Sequence, residues 1–166
     1  GISVYHLLVQ KFNADGSIHE NLVVLNHDGH ATVQSTESGT IYLVNDNVVV
    51  SQLSDITGAA SNQWASTTVT ANTSATISAA NLAEGTYHAY AVDAAGNLSV
   101  ISGRSVLVDN TVPVFTSAAT AADITDSTAV GDTVYTAAAT DAHGVTYSLS
   151  DTGHFHINAS TGVVTR

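Results

Sequence analysis

The side chains of this sequence best suited to chemistry are oxygen donors placed in turns and connectors. Asp93 and Asn97 close one Gly-containing turn, and Asn13 and Asp15 sit in a second of similar form. Asp28 and the pair Asp109-Asn110 lie in short connectors, and Asp141 opens a further loop. Carboxylate, amide and carbonyl oxygens are the ligands that Ca²⁺ takes. The same residue types also suit turns on backbone grounds alone, so both readings stand at this stage. Nitrogen and sulfur offer less. There is no Cys, which excludes disulfides, thiolate catalysis and Cys-based zinc sites. His154-Phe155-His156 would set two imidazoles on one strand face, too few for zinc. His19-Glu20 is followed by Asn-Leu-Val, so it is no zincin motif. Neither Gly-x-Ser-x-Gly, nor a phosphate-binding Gly-rich loop, nor Ser-x-x-Lys occurs. The sequence therefore reads as a binding or structural chain and not as an enzyme.

Charge narrows the partners. Three Lys and Arg stand against 14 Asp and Glu, a formal net charge of -11. Such a field repels phosphate backbones and anionic lipid, so nucleic acid is not an expected partner. No 18-residue apolar run is present, so membrane insertion by a helix is not expected either. Residue 1 is Gly and no signal peptide is visible, which suggests a processed piece or an excised fragment of a longer protein. Met is absent, Pro occurs once, and Thr, Ser, Val and Ala are abundant beside six Tyr. That composition, with its alternating runs, predicts an all-β fold. The Ala-rich runs near 118–122 and 137–139 lack an apolar stripe at helical spacing.

The elements that would position these oxygens are hairpins. Gly85 to Val92 alternates, with Tyr87, Ala89 and Ala91 on one face and His88, Tyr90 and Val92 on the other. Asp93 to Asn97 is the turn, with Gly96 free to take φ > 0. The return strand runs through Val106 and Val108, and Pro113 bars its continuation. Residues 1–28 read as a similar hairpin: a strand over 5–12, a turn over 13–17, a return over 18–25 and an acidic connector. Asn13 aligns with Asp93 and Gly16 with Gly96, an offset of 80 residues. Between them, Ala31–Val33, Thr40–Val44, Val48–Val50, Thr67–Thr70 and Thr76–Ile77 are further strand candidates. Trp64 reads as a cover on the core.

Three stretches carry a resemblance. Glu37-Ser38-Gly39-Thr40-Ile41-Tyr42-Leu43-Val44, Asp55-Ile56-Thr57-Gly58-Ala59-Ala60 and Gly85-Thr86-Tyr87 through Val108-Asp109 resemble a bacterial Ig-like repeat of large type I-secreted (RTX) adhesins. Residues 113–166 change character. Gly131 to Thr136, Thr140 to Leu149 and Phe155 to Thr165 resemble a cadherin-like repeat. Only Asp141 of that family's Asp-x-Asp loop is kept, His143 standing in the second place, and its early Glu has Asp126 as the nearest substitute. The resemblance implies an N-terminal hairpin (1–28), an Ig-like β-sandwich (29–112) and a cadherin-like sandwich lacking its last hairpin (113–166). It also implies that Asp93 and Asn97 face Asp28. Asp109 and Asn110 would face Asn13 and Asp15 of the next unit, with Asp141 a further ligand, and Ca²⁺ would stiffen the joint.

The last stretch is short for a sandwich, which needs roughly 80–100 residues. The first stretch has the form of the missing hairpin. One reading follows: the hairpin of one copy completes the last domain of the next, head to tail, a contact that does not close and so makes a filament. The other is a continuous array of adjacent repeats. Both place the chain outside the cell or at a bacterial surface, in adhesion or biofilm. A ligand-binding adhesin module reading sugar or peptide is the rival, and an accessory domain beside a catalytic one a third.

Overall fold

The computed structural model describes residues 4–7, 23–125 and 127–166. Among these the regular structure is β-strand apart from one short helix. It divides into two compact units, Gly1–Asn110 and Thr111–Arg166.

The first unit holds two sheets. Strand β1 (Val4–Leu7), β3 (His30–Ser35) and β6 (Ala75–Ser78) form one, in the order β1-β3-β6. Strands β2 (Val23–Leu25), β4 (Gly39–Asn45), β5 (Trp64–Val69), β7 (Gly85–Asp93) and β8 (Ser105–Val108) form the other, in the order β2-β8-β7-β4-β5. One apolar cluster joins them. Ala31, Val33 and Ile77 from the first sheet meet Ile41, Leu43, Tyr87, Ala89, Ala91 and Val106 from the second. Period-2 alternation decides this packing. Tyr87, Ala89 and Ala91 are buried on one face of β7 while His88 and Tyr90 remain half-exposed on the other. The Tyr87 hydroxyl reaches through the core edge and donates to Ala83 O at 2.7 Å and Asn62 O at 3.2 Å. Burial raises its pKa.

The central hairpin forms as the sequence predicts. β7 ends at Asp93, Gly96 takes φ +90°, and β8 returns antiparallel with Gly85 opposite Val108. β8 covers only the first half of β7. Beyond it, Ser99 and Ser102 complete the edge: Ala91 N donates to Ser99 Oγ and Ala89 N to Ser102 Oγ, both at 2.9 Å. Each serine N–H in turn donates to the carbonyl of the same alanine.

Two expectations need correction. The two described strands of residues 1–28 do not pair with each other. β1 runs antiparallel to β3, and β2 runs parallel to β8, with Leu25 opposite Val108. Each covers an otherwise open edge of a different sheet, a demand from tertiary structure that local hairpin pattern does not express. The predicted turn at 13–17 lies outside the described residues. Val48–Val50 is not a strand; Val48 N closes a turn onto Asn45 O, and Val49 points into solvent. In its place after β4 comes a loop with helix α1 (Leu53–Thr57), started by Asp55, whose Oδ2 accepts from Ser51 N, Ser51 Oγ and Gln52 N at 2.8–3.0 Å. Those bonds, led by the Ser51 amide, hold the Asp55 carboxyl below its ordinary range.

The second unit is built of shorter strands. Its described strands are β9 (Val114–Phe115), β10 (Thr133–Thr136), β11 (Ala139–Thr140), β12 (His156–Ile157) and β13 (Val163–Thr165). They form a sheet β10-β13-β12 and a pair β11-β9. The stretch 140–149 is strand only at its start. The stretch 155–165 is broken by a turn, in which Asn158 Oδ1 accepts from Ser160 N and Thr161 N. Asn158 and Gly162 (φ +71°) suit this turn better than a through strand. Among the described apolar residues of this unit only Ala137 and Val164 are buried, while Val112, Val114, Phe115 and Val130 are exposed.

Candidate functional site

The register of the first unit sorts the proposed oxygen ligands into two groups. Leu25 lies opposite Val108, and Val108 opposite Gly85 at the start of β7. The turn after β2, which carries Asp28, is therefore at the same sheet end as Glu84, Asp109 and Asn110. Asp93 ends β7, nine residues long, so it lies ~25 Å away at ~3.3 Å per residue. Asp93 and Asn97 do not face Asp28. The expectation put the hairpin turn beside the preceding connector; the parallel pairing of β2 carries that connector to the other end.

The two ends differ chemically. At the turn, Asp93 is consumed by its own backbone. Oδ1 accepts from Ala95 N at 2.9 Å and Asn97 N at 2.8 Å, and Oδ2 accepts from Asn97 Nδ2 at 2.7 Å. These bonds, the Asn97 amide side chain first, hold its carboxyl below the ordinary range. A carboxylate so engaged is a turn lock, with three of its roughly four acceptor positions taken. At the other end, Glu84 and Asp109 bring carboxylate oxygens within 4.8 Å of each other. Like charges this close repel, and a hard cation between them would relieve that. Asn110 anchors this end, its Nδ2 donating to Leu82 O at 3.1 Å. Asp28 is exposed and carries His27 at 3.2 Å. Carboxylate oxygens are among the donors that Ca²⁺ takes. Glu84 was not among the residues singled out from sequence. No spacing signal could have found it, because its closeness to Asp109 comes from strand pairing.

The remaining candidates separate. Asn13 and Asp15 lie outside the described residues. Asp141 sits in the second unit, its Oδ1 accepting from His143 N at 2.9 Å and Thr111 Oγ1 lying 3.5 Å from Oδ2. His154 and His156 do not share a strand: β12 starts at His156, and His154 turns back onto Asp151 with Nδ1 3.1 Å from Oδ2. That contact lowers the Asp151 pKa.

The second unit contributes a cleft of about 850 Å³ lined by Phe115, Tyr135, Ala137, Tyr147, Leu149, Ile157 and Val164 among others. Tyr135 marks its wall, the hydroxyl donating to Ala118 O and contacting Ser117 Oγ. Where the first unit fills the space between its sheets, this space is open, and its lining is aromatic and aliphatic.

Comparison with family models, curated proteins and solved structures finds no match to this chain in any of the three.

Proposed function

We propose that the chain is a structural subunit or repeat of an extracellular bacterial filament or adhesin, joined end to end to copies of itself or to adjacent repeats. The observation that carries this is the contrast between the units. The first closes a core between two sheets, whereas the second leaves a large apolar cleft beside short, open-edged sheets. An open edge over an apolar cleft is the acceptor geometry for an added strand, in which main-chain bonds give affinity and alternate side chains fill the pockets. The Ig-like reading of the first unit is supported by its strand order and by the parallel β2–β8 pairing. The cadherin-like reading of the second rests on its sequence pattern.

Strand addition cannot draw on a spare hairpin, because β1 and β2 already pair within the first unit. Residues 1–28 donate to a neighbour only by exchange, leaving their own sheets. Negative-stain imaging of the purified chain tests the reading. Filaments that denaturing electrophoresis resolves into 17.0 kDa units are expected. Monomers at every concentration, with or without calcium, would overturn it. A variant lacking residues 1–22 locates the donor. Filament loss, with the first unit still folded, assigns the exchange to the N-terminal strand; retention assigns the added strand elsewhere.

Calcium belongs to the same reading, and its ligands shift from Asp93 and Asn97 to Glu84 and Asp109. Millimolar Ca²⁺ is expected to raise the melting temperature, extracellular modules binding it at roughly 10⁻⁴–10⁻³ M. Glu84→Gln should abolish the increment and Asp93→Asn should keep it. An increment kept by Glu84→Gln and lost by Asp93→Asn would return the site to the turn.

A further inference from the structure

The outer face of the five-stranded sheet gathers aromatic side chains that lie far apart in the sequence. Ile41 and Leu43 of β4 and Tyr87, Ala89 and Ala91 of β7 face the core, so their alternate neighbours lie on the other face of the sheet, where Val44 and Val92 are buried and Tyr42, His88 and Tyr90 are half-exposed. In register, Tyr42 lies opposite Tyr90 on one side and Ser66 on the other. Val44, one pleat along, lies opposite His88 and Trp64. Tyr42 and Trp64 touch, ring centroids 5.8 Å apart at 49°. His88 Nδ1 lies 2.6 Å from Asp46 Oδ1, so a joined donor and acceptor stand at the margin of the rings. Tyr42, Trp64, Tyr90 and His88 are all half-exposed, and Ser66, on the edge strand beside Tyr42, is exposed.

We propose that this face, with Tyr42, Trp64 and Tyr90 as platform and Ser66, His88 and Asp46 as polar rim, binds a neutral pyranose chain. A sugar ring has an apolar C–H face and a hydroxyl edge. It therefore needs a surface that is aromatic at its centre and hydrogen-bonding at its margin, as this one is. Charge selects among glycans. No Lys or Arg lies on β4, β5 or β7, and the chain carries a net charge of -11. Nothing here would hold a carboxylate, sulfate or phosphate, and the field opposes them. The Asp46 carboxylate is engaged by the His88 ring at 2.6 Å. This inference does not depend on filament assembly, which draws on the second unit.

Trp64 is the only tryptophan in the sequence, so its emission reports on this face. The test titrates the full chain with maltohexaose, cellohexaose and chitohexaose, using polygalacturonate and heparin as anionic controls. At least one neutral hexamer should give a saturable emission change, and the anionic polymers none. Tyr42→Ala and Tyr90→Ala should each weaken that response at least about tenfold. Ser66→Arg, at an exposed position, should block it while leaving the melting temperature unchanged, which keeps the test valid if a tyrosine variant unfolds. No saturation by any neutral hexamer, a response to the anionic polymers alone, or a response that Ser66→Arg leaves intact would each overturn the proposal. So would an emission change driven only by protein concentration, which would make the face a contact between copies.

Discussion

Asp93 shows how a single side chain can be taken up by local structure. Its carboxylate holds three N–H groups of the turn that joins β7 to the following loop. Its pKa is lowered in the folded chain from an ordinary value of 3.8. A depressed carboxyl contributes stability that is fully present above the unfolded value and is lost as pH falls through the folded one. Asp93→Asn should therefore lower the melting temperature by a constant amount at neutral pH, and that difference should shrink below pH 3.8. Thermal melts from pH 7 to pH 2.5 measure it; a difference independent of pH would contradict the assignment. Ser102 is the buried counterpart. Its Oγ accepts from Ala89 N and donates to Arg104 O, so Ser102→Ala strands a buried N–H in the middle of β7. A loss of about 1–3 kcal/mol is expected by chemical denaturation.

At the scale of the element, β7 is the spine of the first unit. It pairs with β4 along its length, with β8 over its first half and with the serine-bearing loop over its second. β7 also leaves no room for a side chain at Gly39 of β4, where an added Cβ would lie 2.1 Å from Val92 O. Gly39→Ala must push the two strands apart at their end, and about 1–3 kcal/mol of destabilisation should follow. The loss should come with faster amide exchange at Val92 and Asp93 and little change at Tyr87. Uniform acceleration along β7 would mean that the clash is relieved elsewhere. The same strand sets the chemistry of both sheet ends. Because Gly85 and Asp93 are the two ends of a nine-residue strand, a cation bound by Glu84 and Asp109 cannot also reach the turn.

For the whole molecule, the decisive contrast is between two units with different amounts of core. The first buries apolar residues from both of its sheets in one cluster. The second buries only Ala137 and Val164 among its described apolar side chains. Burial of apolar area is the main term holding a domain together, so the two should open with different free energies. Trp64 reports the first unit alone. Its emission should change at a higher temperature than the first loss of far-ultraviolet ellipticity, and amides of β10 and β13 should exchange before those of β4 and β7. A single coincident transition by both probes would show that the second unit is as stable as the first. Any agent that fills the cleft should narrow the gap.

The strands that alternate cleanly were legible in the sequence. Gly85 to Asp93, with its buried Tyr87, Ala89 and Ala91, could be read directly, because a period of two is a local property of the chain. So could the turn at Asp93 and the all-β class. The helix at Leu53–Thr57 left a local signal too, in Ser51, Gln52 and Asp55 ahead of a buried Ile56, but it is a single turn among strand patterns. Tertiary structure alone decided which edges β1 and β2 cover, and hence that these two strands do not pair with each other. It alone set Glu84 beside Asp109, parted Asp28 from Asp93, and assembled Tyr42, Trp64 and Tyr90 on one face. The physical reason is common to all of these. Alternation fixes which way a side chain points, but pairing between distant strands fixes its neighbours, and that register is chosen by burial across the whole unit.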